Sequence, residues 1–112
     1  MREFSEKDWK LFRSKIASWQ EAYMDKLNKE YIEILSGKGN SSEKFWKLEK
    51  RINKDKRDYG VSCEMRRSMQ FPVMIELLNE GAITFDDLED FSEDLKSKMK
   101  PFADKAEKNK KH

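Results

Sequence analysis

Few side chains in this sequence could act as nucleophiles or transfer protons. Cys63 is the single cysteine and His112 the single histidine, and the histidine stands at the extreme C-terminus. A Ser–His or Cys–His system needs a histidine held beside its nucleophile, so this pattern argues against hydrolysis of that type. A single cysteine excludes an intrachain disulfide and fits a reducing cytoplasm. We therefore expect a protein that is not an enzyme and that uses no cofactor.

A run of carboxylates is the second feature that could do chemistry. Residues 83–95 contain six acidic and no basic side chains. Carboxylate oxygens are preferred ligands of Ca²⁺ and Mg²⁺, but an EF-hand alternates its ligands around a central glycine, and this run lacks that pattern. We expect no metal site and interpret the run as one solvated face of a helix. Its candidate partner-binding residues are Asp86, Asp87, Asp90, Glu93 and Asp94.

This acidic face suggests a function that depends on charge. An array of carboxylates can mimic phosphate charge and accelerate association with a basic surface. By analogy with small helical nuclease inhibitors, anti-CRISPR proteins among them, we expect non-enzymatic binding that occludes a basic groove. The particular hypothesis is an anti-defence inhibitor from a phage or other mobile element. Its protein partner would be a nuclease or another nucleic-acid-binding protein.

A basic and aromatic set supports the alternative, an adaptor that binds nucleic acid through its second helix. Cationic side chains can follow phosphates while an exposed tryptophan stacks on a base. Acidic residues interleaved in the same segment lower the local field and favour salt-bridged helix surfaces instead. The candidate residues of this alternative are Trp46, Lys47, Lys50, Arg51, Lys54, Arg57, Arg66 and Arg67.

Length and composition limit the elements that can position these residues. The chain has 112 residues, the size of one compact domain, with 37% apolar and 12% aromatic side chains. Its 24 basic and 22 acidic groups leave a net charge of +2, which by itself indicates neither nucleic acid nor membrane as a partner. No apolar run is long enough to span a bilayer, and the N-terminus lacks the apolar core of a signal peptide. We expect a soluble cytoplasmic protein.

Hydrophobic periodicity predicts a long first helix. Ser5 and Asp8 resemble a capping box, and apolar residues then recur every three or four positions from Trp9 to Ile34. Gly37 is placed to end this helix, which would be about thirty residues long. Leu11 and Ile32 lie off its apolar stripe, so a homodimer joined along this helix is a further expectation.

Two more helices are predicted before residue 81. The second begins at Asn40 or Ser41 and ends near Gly60, with Phe45, Leu48, Ile52 and Tyr59 on its apolar stripe. Trp46 falls about 100° from that stripe and should be exposed. The third helix runs from Ser62 to about Glu80. Pro72 interrupts it, so we expect either a kink or a division into two shorter helices.

The fourth helix has the clearest start signal. Thr84 is a candidate cap, and Asp86 and Asp87 supply an acidic first turn. Apolar periodicity continues as far as Phe102. Residues 103–112 are rich in lysine and lack periodicity, so we expect a disordered tail. The prediction is an all-α bundle of about four helices, forming a single helical domain over residues 1–102.

Four segments resemble a group of small soluble proteins encoded by gut Firmicutes, which are sometimes labelled multidrug transporters. The resemblance covers about residues 3–98 and implies no activity or functional residues. Pro72 and the lysine-rich tail depart from the group's pattern, and the transporter label conflicts with the absence of any spanning segment. The segments are Phe4-Ser5-Glu6-Lys7-Asp8-Trp9-Lys10-Leu11-Phe12, Trp19-Gln20-Glu21-Ala22-Tyr23-Met24, Lys44-Phe45-Trp46-Lys47-Leu48-Glu49-Lys50 and Gly81-Ala82-Ile83-Thr84-Phe85-Asp86-Asp87-Leu88.

Overall fold

The fold is an all-α bundle, which confirms the class that the periodicity predicted. The computed structural model describes residues 4–110, and over that range it contains four α-helices and no strand. His112, the single histidine, lies outside the described residues. The helices are α1 (Glu6–Ser36), α2 (Ser41–Asp55), α3 (Gln70–Glu80) and α4 (Glu93–Lys110), with 3₁₀ turns at Arg67–Met69 and Phe85–Leu88.

Helix α1 extends along almost the whole molecule. Its 31 residues give a length of about 46 Å, and the longest dimension of the protein is 52 Å. Ser5 caps the helix, because its Oγ accepts a hydrogen bond from the backbone N–H of Asp8 at 3.1 Å. Gly37 follows the last residue, as predicted. The first half of α1 packs on α3 and α4 to form what we call the body.

The body contains nearly all of the hydrophobic core. One side of α1 contributes Phe12 and Ile16 to it, and α3, α4 and the segment between them supply most of the rest. Its most deeply buried side chains are Phe12, Val73, Met74, Leu77, Ile83, Leu88, Leu95 and Met99. Trp9 and Trp19 are partly buried against this cluster.

The second and third helices are shorter than the sequence predicted. Helix α2 ends at Asp55 rather than near Gly60, and the chain then turns, with the N–H of Asp58 bonded to the carbonyl of Asp55. Gly60 packs so closely on the ring of Tyr23 that a Cβ there would lie 2.3 Å from a ring carbon. The predicted helix start at Ser62 is wrong, because residues 62–66 form no regular secondary structure and α3 begins only at Gln70.

Pro72 neither kinks nor divides a helix. It is the third residue of α3, where the backbone N–H has no intrahelical acceptor and its absence costs no helical hydrogen bond. Gly81 then ends α3 in the left-handed conformation, with φ 78°. Because α3 begins only two residues before Pro72, the proline causes neither the kink nor the division that the sequence allowed.

The last part of the chain differs most from its prediction. Thr84 and Asp87 do form a capping box, but it begins the 3₁₀ turn Phe85–Leu88 and not an α-helix. Helix α4 begins at Glu93 and continues to Lys110, so the predicted disordered tail over residues 103–112 is wrong for its described part. Ala103 and Ala106 are buried in the core because their small side chains lie against the body.

Candidate functional site

The second half of α1 and all of α2 form a helical hairpin, which we call the arm (residues 24–55). Six large apolar side chains are exposed in the part of the chain that the structure describes, and five of them lie on the arm. The sixth, Met65, is in the irregular segment before α3. The five on the arm are Ile32, Leu35, Phe45, Trp46 and Ile52. Clusters of exposed apolar side chains mark interaction sites, so the arm is the candidate functional region.

Helix α2 presents three different sides. The side toward α1 contains Leu48, Arg51 and Asp55, which are at least half-buried. Phe45 was predicted on the inward stripe, but it is 60% exposed, because α1 is narrow and covers only one side of α2. Trp46 is 62% exposed, as predicted. Nothing in the apolar periodicity alone distinguishes Phe45 from a buried residue, since only the position of α1 decides which side is covered.

The predicted basic set is divided by the structure into two groups. Arg51 points inward and forms ion pairs with Glu30 and with Asp55. Arg66 pairs with Glu64, and Arg67 pairs with Glu6 and donates to the carbonyl of Phe4. These three arginines lie apart from the others, so they do not belong to one basic surface with them.

The remaining four cations stay together on the outer side of α2 and the turn after it. Because they are spaced three or four residues apart, they follow one side of the helix. All are exposed, and none forms an ion pair with any residue that the structure describes. With the adjoining indole they make up what we call the Trp46 face: Trp46, Lys47, Lys50, Lys54 and Arg57.

The acidic candidates do not form one helix face. Asp86 and Asp87 are in the 3₁₀ turn, Glu93 and Asp94 are in the first turn of α4, and Asp90 lies between the two elements. This corrects the predicted continuous stripe, because the chain bends where a single helix was expected.

Most of these carboxylates also have local partners. The carboxylate of Asp87 accepts hydrogen bonds from the backbone N–H and hydroxyl of Thr84. Glu93 pairs with Lys96 at 2.9 Å and Asp94 with Lys98 at 3.3 Å. Asp90 lies 3.6 Å from the ammonium of Lys15. The ammonium groups beside Asp90, Glu93 and Asp94 reduce the field that the acidic segment can present to a basic partner.

A partly buried set of hydrogen bonds, which we call the joint, connects α1 to the end of α2 and to the turn after it. Tyr31 donates to the carboxylate of Asp55 at 2.6 Å, and Tyr23 donates to that of Asp58 at 2.5 Å. Burial and the hydrogen bond to Asp55 raise the pKa of Tyr31 to about 12, so this phenol remains protonated at neutral pH. Burial, followed by the bond to Asp58, raises the pKa of Tyr23 as well. Both tyrosines therefore act as hydrogen-bond donors that hold the end of α2 and the turn after it against α1.

Glu80 completes this joint from the end of α3. Its carboxylate accepts hydrogen bonds from the backbone N–H groups of Tyr59 and Gly60, at 2.8 and 2.9 Å. Burial raises the pKa of Glu80, although these two donors act in the opposite direction. The sequence analysis did not single out Glu80, because a bond to a turn twenty residues away leaves no periodic signal.

The surroundings of Cys63 and of the acidic side chains do not favour a nucleophile or a metal site. Cys63 is half-buried, and burial raises the pKa of its thiol, which reduces the thiolate that a nucleophile requires. Among the described residues, no group of three or more His, Cys, Asp or Glu side chains is arranged to hold a metal ion. Within the same residues, every helix is too short or too polar to cross a bilayer.

Comparison with known proteins gives no relative from which to transfer a function. The chain matches no protein-family model, no curated protein and no solved structure. The Trp46 face and the apolar side chains of the arm are therefore the features on which a function can be argued.

Proposed function

We propose that this protein is a non-enzymatic binding module that engages a protein partner through the Trp46 face of its arm. The observation that carries the proposal is the position of Trp46, 62% exposed on a projecting hairpin and adjoined by four cations that form no ion pair with a described residue. Tryptophan supplies large binding energies at protein interfaces, and the cations favour a partner with an acidic surface. The body supplies the stability that holds this face in place.

The geometry of the aromatic residues supports the same surface. The ring of Phe45 meets that of Trp46 edge to face, with centroids 4.9 Å apart. Such a pair restrains both rings, so the indole is presented in a defined orientation before binding. A restrained aromatic side chain loses less conformational entropy on association than a free one.

A capture experiment tests this proposal. The protein is immobilised and exposed to nuclease-treated lysate of its native host, and the captured proteins are quantified by mass spectrometry. We expect Trp46→Ala to reduce the captured partner by at least about tenfold, because a central tryptophan dominates interface energy. Met65→Ala removes an exposed apolar side chain away from the arm and is the matched control. Equal capture by wild type and Trp46→Ala contradicts the proposal.

The inhibitor hypothesis based on the acidic segment is tested in the same assay. Asp86 and Glu89 are exposed, and neither side chain bonds to another residue that the structure describes. Reversing both to lysine therefore changes the charge of the segment while leaving the Thr84 cap intact. If this variant loses the partner and Trp46→Ala retains it, an acidic surface that occludes a basic groove is the correct function. The anti-defence inhibitor then becomes the preferred proposal.

Nucleic-acid binding is the second candidate, and the four unpaired cations favour it. Lys47 and Lys54 are seven residues apart on α2, which places them about 10 Å apart along the helix. Single strands bind where cations follow the phosphates and an aromatic ring stacks on a base. Anisotropy of a labelled single strand tests this directly. Affinity that falls steeply with salt, and falls again in Lys50→Glu, supports nucleic acid as the ligand.

A further inference from the structure

The side of the arm that contains Ile52 is a second surface, distinct from the Trp46 face. Phe45, Glu49, Ile52 and Lys56 are spaced by four, three and four residues, so they share one stripe of α2 and the residue after it. All four are exposed, including Ile52 at 37%. We call this stripe, with the adjoining side of α1, the Ile52 flank. Helix α1 covers a different side of α2 and leaves this stripe open.

An apolar groove opens on the Ile52 flank. It has a volume of about 250 Å³ and lies between α1 and α2, with Met24, Tyr31, Ile52 and Val61 in its lining. Leu35 is one turn beyond Tyr31 on α1 and is 49% exposed, so the apolar surface continues toward the end of the arm. The flank therefore offers both projecting apolar side chains and a groove to receive them.

The charges on the Ile52 flank indicate which kind of molecule would bind there. A two-fold symmetric interface must be self-complementary, because each residue i that contacts j is matched by j contacting i. If two α2 helices cross antiparallel with Ile52 against Ile52, Glu49 of each copy lies opposite Lys56 of the other. Asn53 donates to the carboxylate of Glu49 at 2.6 Å and holds it on the helix surface, while Lys56 forms no ion pair among the described residues.

From this pattern we propose that a second copy of the chain docks on the Ile52 flank, so that two arms form an antiparallel four-helix interface about a two-fold axis near Ile52. Ile52 meets Ile52 at the axis, and two Glu49–Lys56 pairs flank it. Phe45 of each copy then lies toward the groove of the other. The α2 stripe of the flank carries one acidic and one basic group, Glu49 and Lys56, so the stripe has no net charge that selects a different partner.

The size of the flank sets the expected strength of the dimer. Two helices side by side are about 20 Å wide, and α2 is about 22 Å long, which gives roughly 450 Å² for each copy. This is about half the area of a standard interface, a size typical of weak and transient complexes. Concentration-dependent association, rather than a permanent dimer, is the expected behaviour.

Sedimentation equilibrium of the purified full chain, up to about 500 μM, tests the dimer and its register. Glu49→Lys and Lys56→Glu each place two pairs of like charges across the axis, and we expect each to weaken the dimer by about ten- to thirtyfold. The double variant restores both pairs with opposite polarity and is expected to return to within about threefold of the wild type. This reciprocal rescue is specific to a self-complementary contact.

Lys47→Glu is the matched control, because it makes the same change of charge on the same helix but outside the flank. We expect it to leave the dimer constant unchanged. A wild type that stays monomeric over the whole concentration range, or single reversals without effect, overturns the inference. The measurement uses the pure protein alone, so its failure is independent of the Trp46-dependent capture that tests the proposed function.

Discussion

The body and the arm share α1 but are stabilised in different ways. In the body, Met74, Leu77, Leu88, Leu95 and Met99 are completely inaccessible to solvent. In the arm, α2 buries only Asp55, and the two helices are connected by Tyr31–Asp55 and Arg51–Glu30 contacts. Hydrophobic burial contributes more to stability than partly exposed ion pairs do. The arm therefore depends on the continuity of α1, while its uncovered apolar side chains are available for binding.

Removing a core side chain from the body should have the largest effect on stability. Leu77→Ala leaves a cavity among fully buried neighbours, and we expect it to lower the free energy of unfolding by about 2–5 kcal/mol. The same change in the arm, Leu35→Ala, removes a side chain that is 49% exposed and should cost less than about 1 kcal/mol. Urea denaturation followed by circular dichroism measures both. Equal losses would mean that the arm is as tightly packed as the body.

Removing the hydrogen bonds between Asp8 and Ser92 should have the next largest effect on the free energy of unfolding. Asp8 is 2% exposed, and its carboxylate accepts hydrogen bonds from the backbone N–H and the hydroxyl of Ser92, at 2.9 and 2.5 Å. Asp8→Ala leaves the partly buried N–H of Ser92 without this acceptor, so we expect a loss of about 1–3 kcal/mol.

Asp25→Ala is the matched control for Asp8→Ala. Asp25 forms an exposed ion pair with Lys29 on the arm, so its removal should change the free energy of unfolding by less than about 1 kcal/mol. Thermal and urea unfolding of the two variants compare the buried and the exposed carboxylate directly. A loss in Asp25→Ala as large as that in Asp8→Ala would show that the arm's surface charges also support the fold.

Replacing Glu80, which lies between the two regions, should change the stability by a smaller amount that depends on pH. Because the pKa of Glu80 is raised in the folded chain, folding favours its protonated form relative to the unfolded chain. Its contribution to stability is therefore fully present below the ordinary value of 4.5 and decreases as pH rises through the raised pKa. We expect the wild type to gain stability relative to Glu80→Gln as pH falls through this window, measured by urea titrations at several pH values.

Glu76 is exposed on the same helix, and its negative charge is one of the causes that raise the pKa of Glu80. We therefore expect Glu76→Gln to reduce, but not to abolish, the gain in stability as pH falls. A Glu80→Gln difference that stays constant, or that moves in the opposite direction, would show that the two backbone donors outweigh burial at the joint.

Local sequence signals predicted those parts of the fold that depend on neighbouring residues. The periodicity from Trp9 to Ile34, with Ser5 before it and Gly37 after it, gave both ends of α1. The Thr84 capping box and the exposure of Trp46 were also predictable, because a cap spans a few residues and an off-stripe position follows from helix geometry. What came after the Thr84 cap was not predictable, since the same box can begin a 3₁₀ turn or an α-helix.

The sequence by itself determined an all-α chain with a long first helix, alternating charged and apolar surfaces, and a tryptophan on the outside of α2. Only the tertiary structure decided that Asp8 bonds to Ser92, that Ala103 and Ala106 extend the core, and that Phe45 is uncovered. It also placed Lys15 beside Asp90 and left the cations of the Trp46 face without an acidic partner among the described residues. The physical reason is that helix formation follows from local spacing, whereas burial and ion pairing depend on residues brought together from distant parts of the chain.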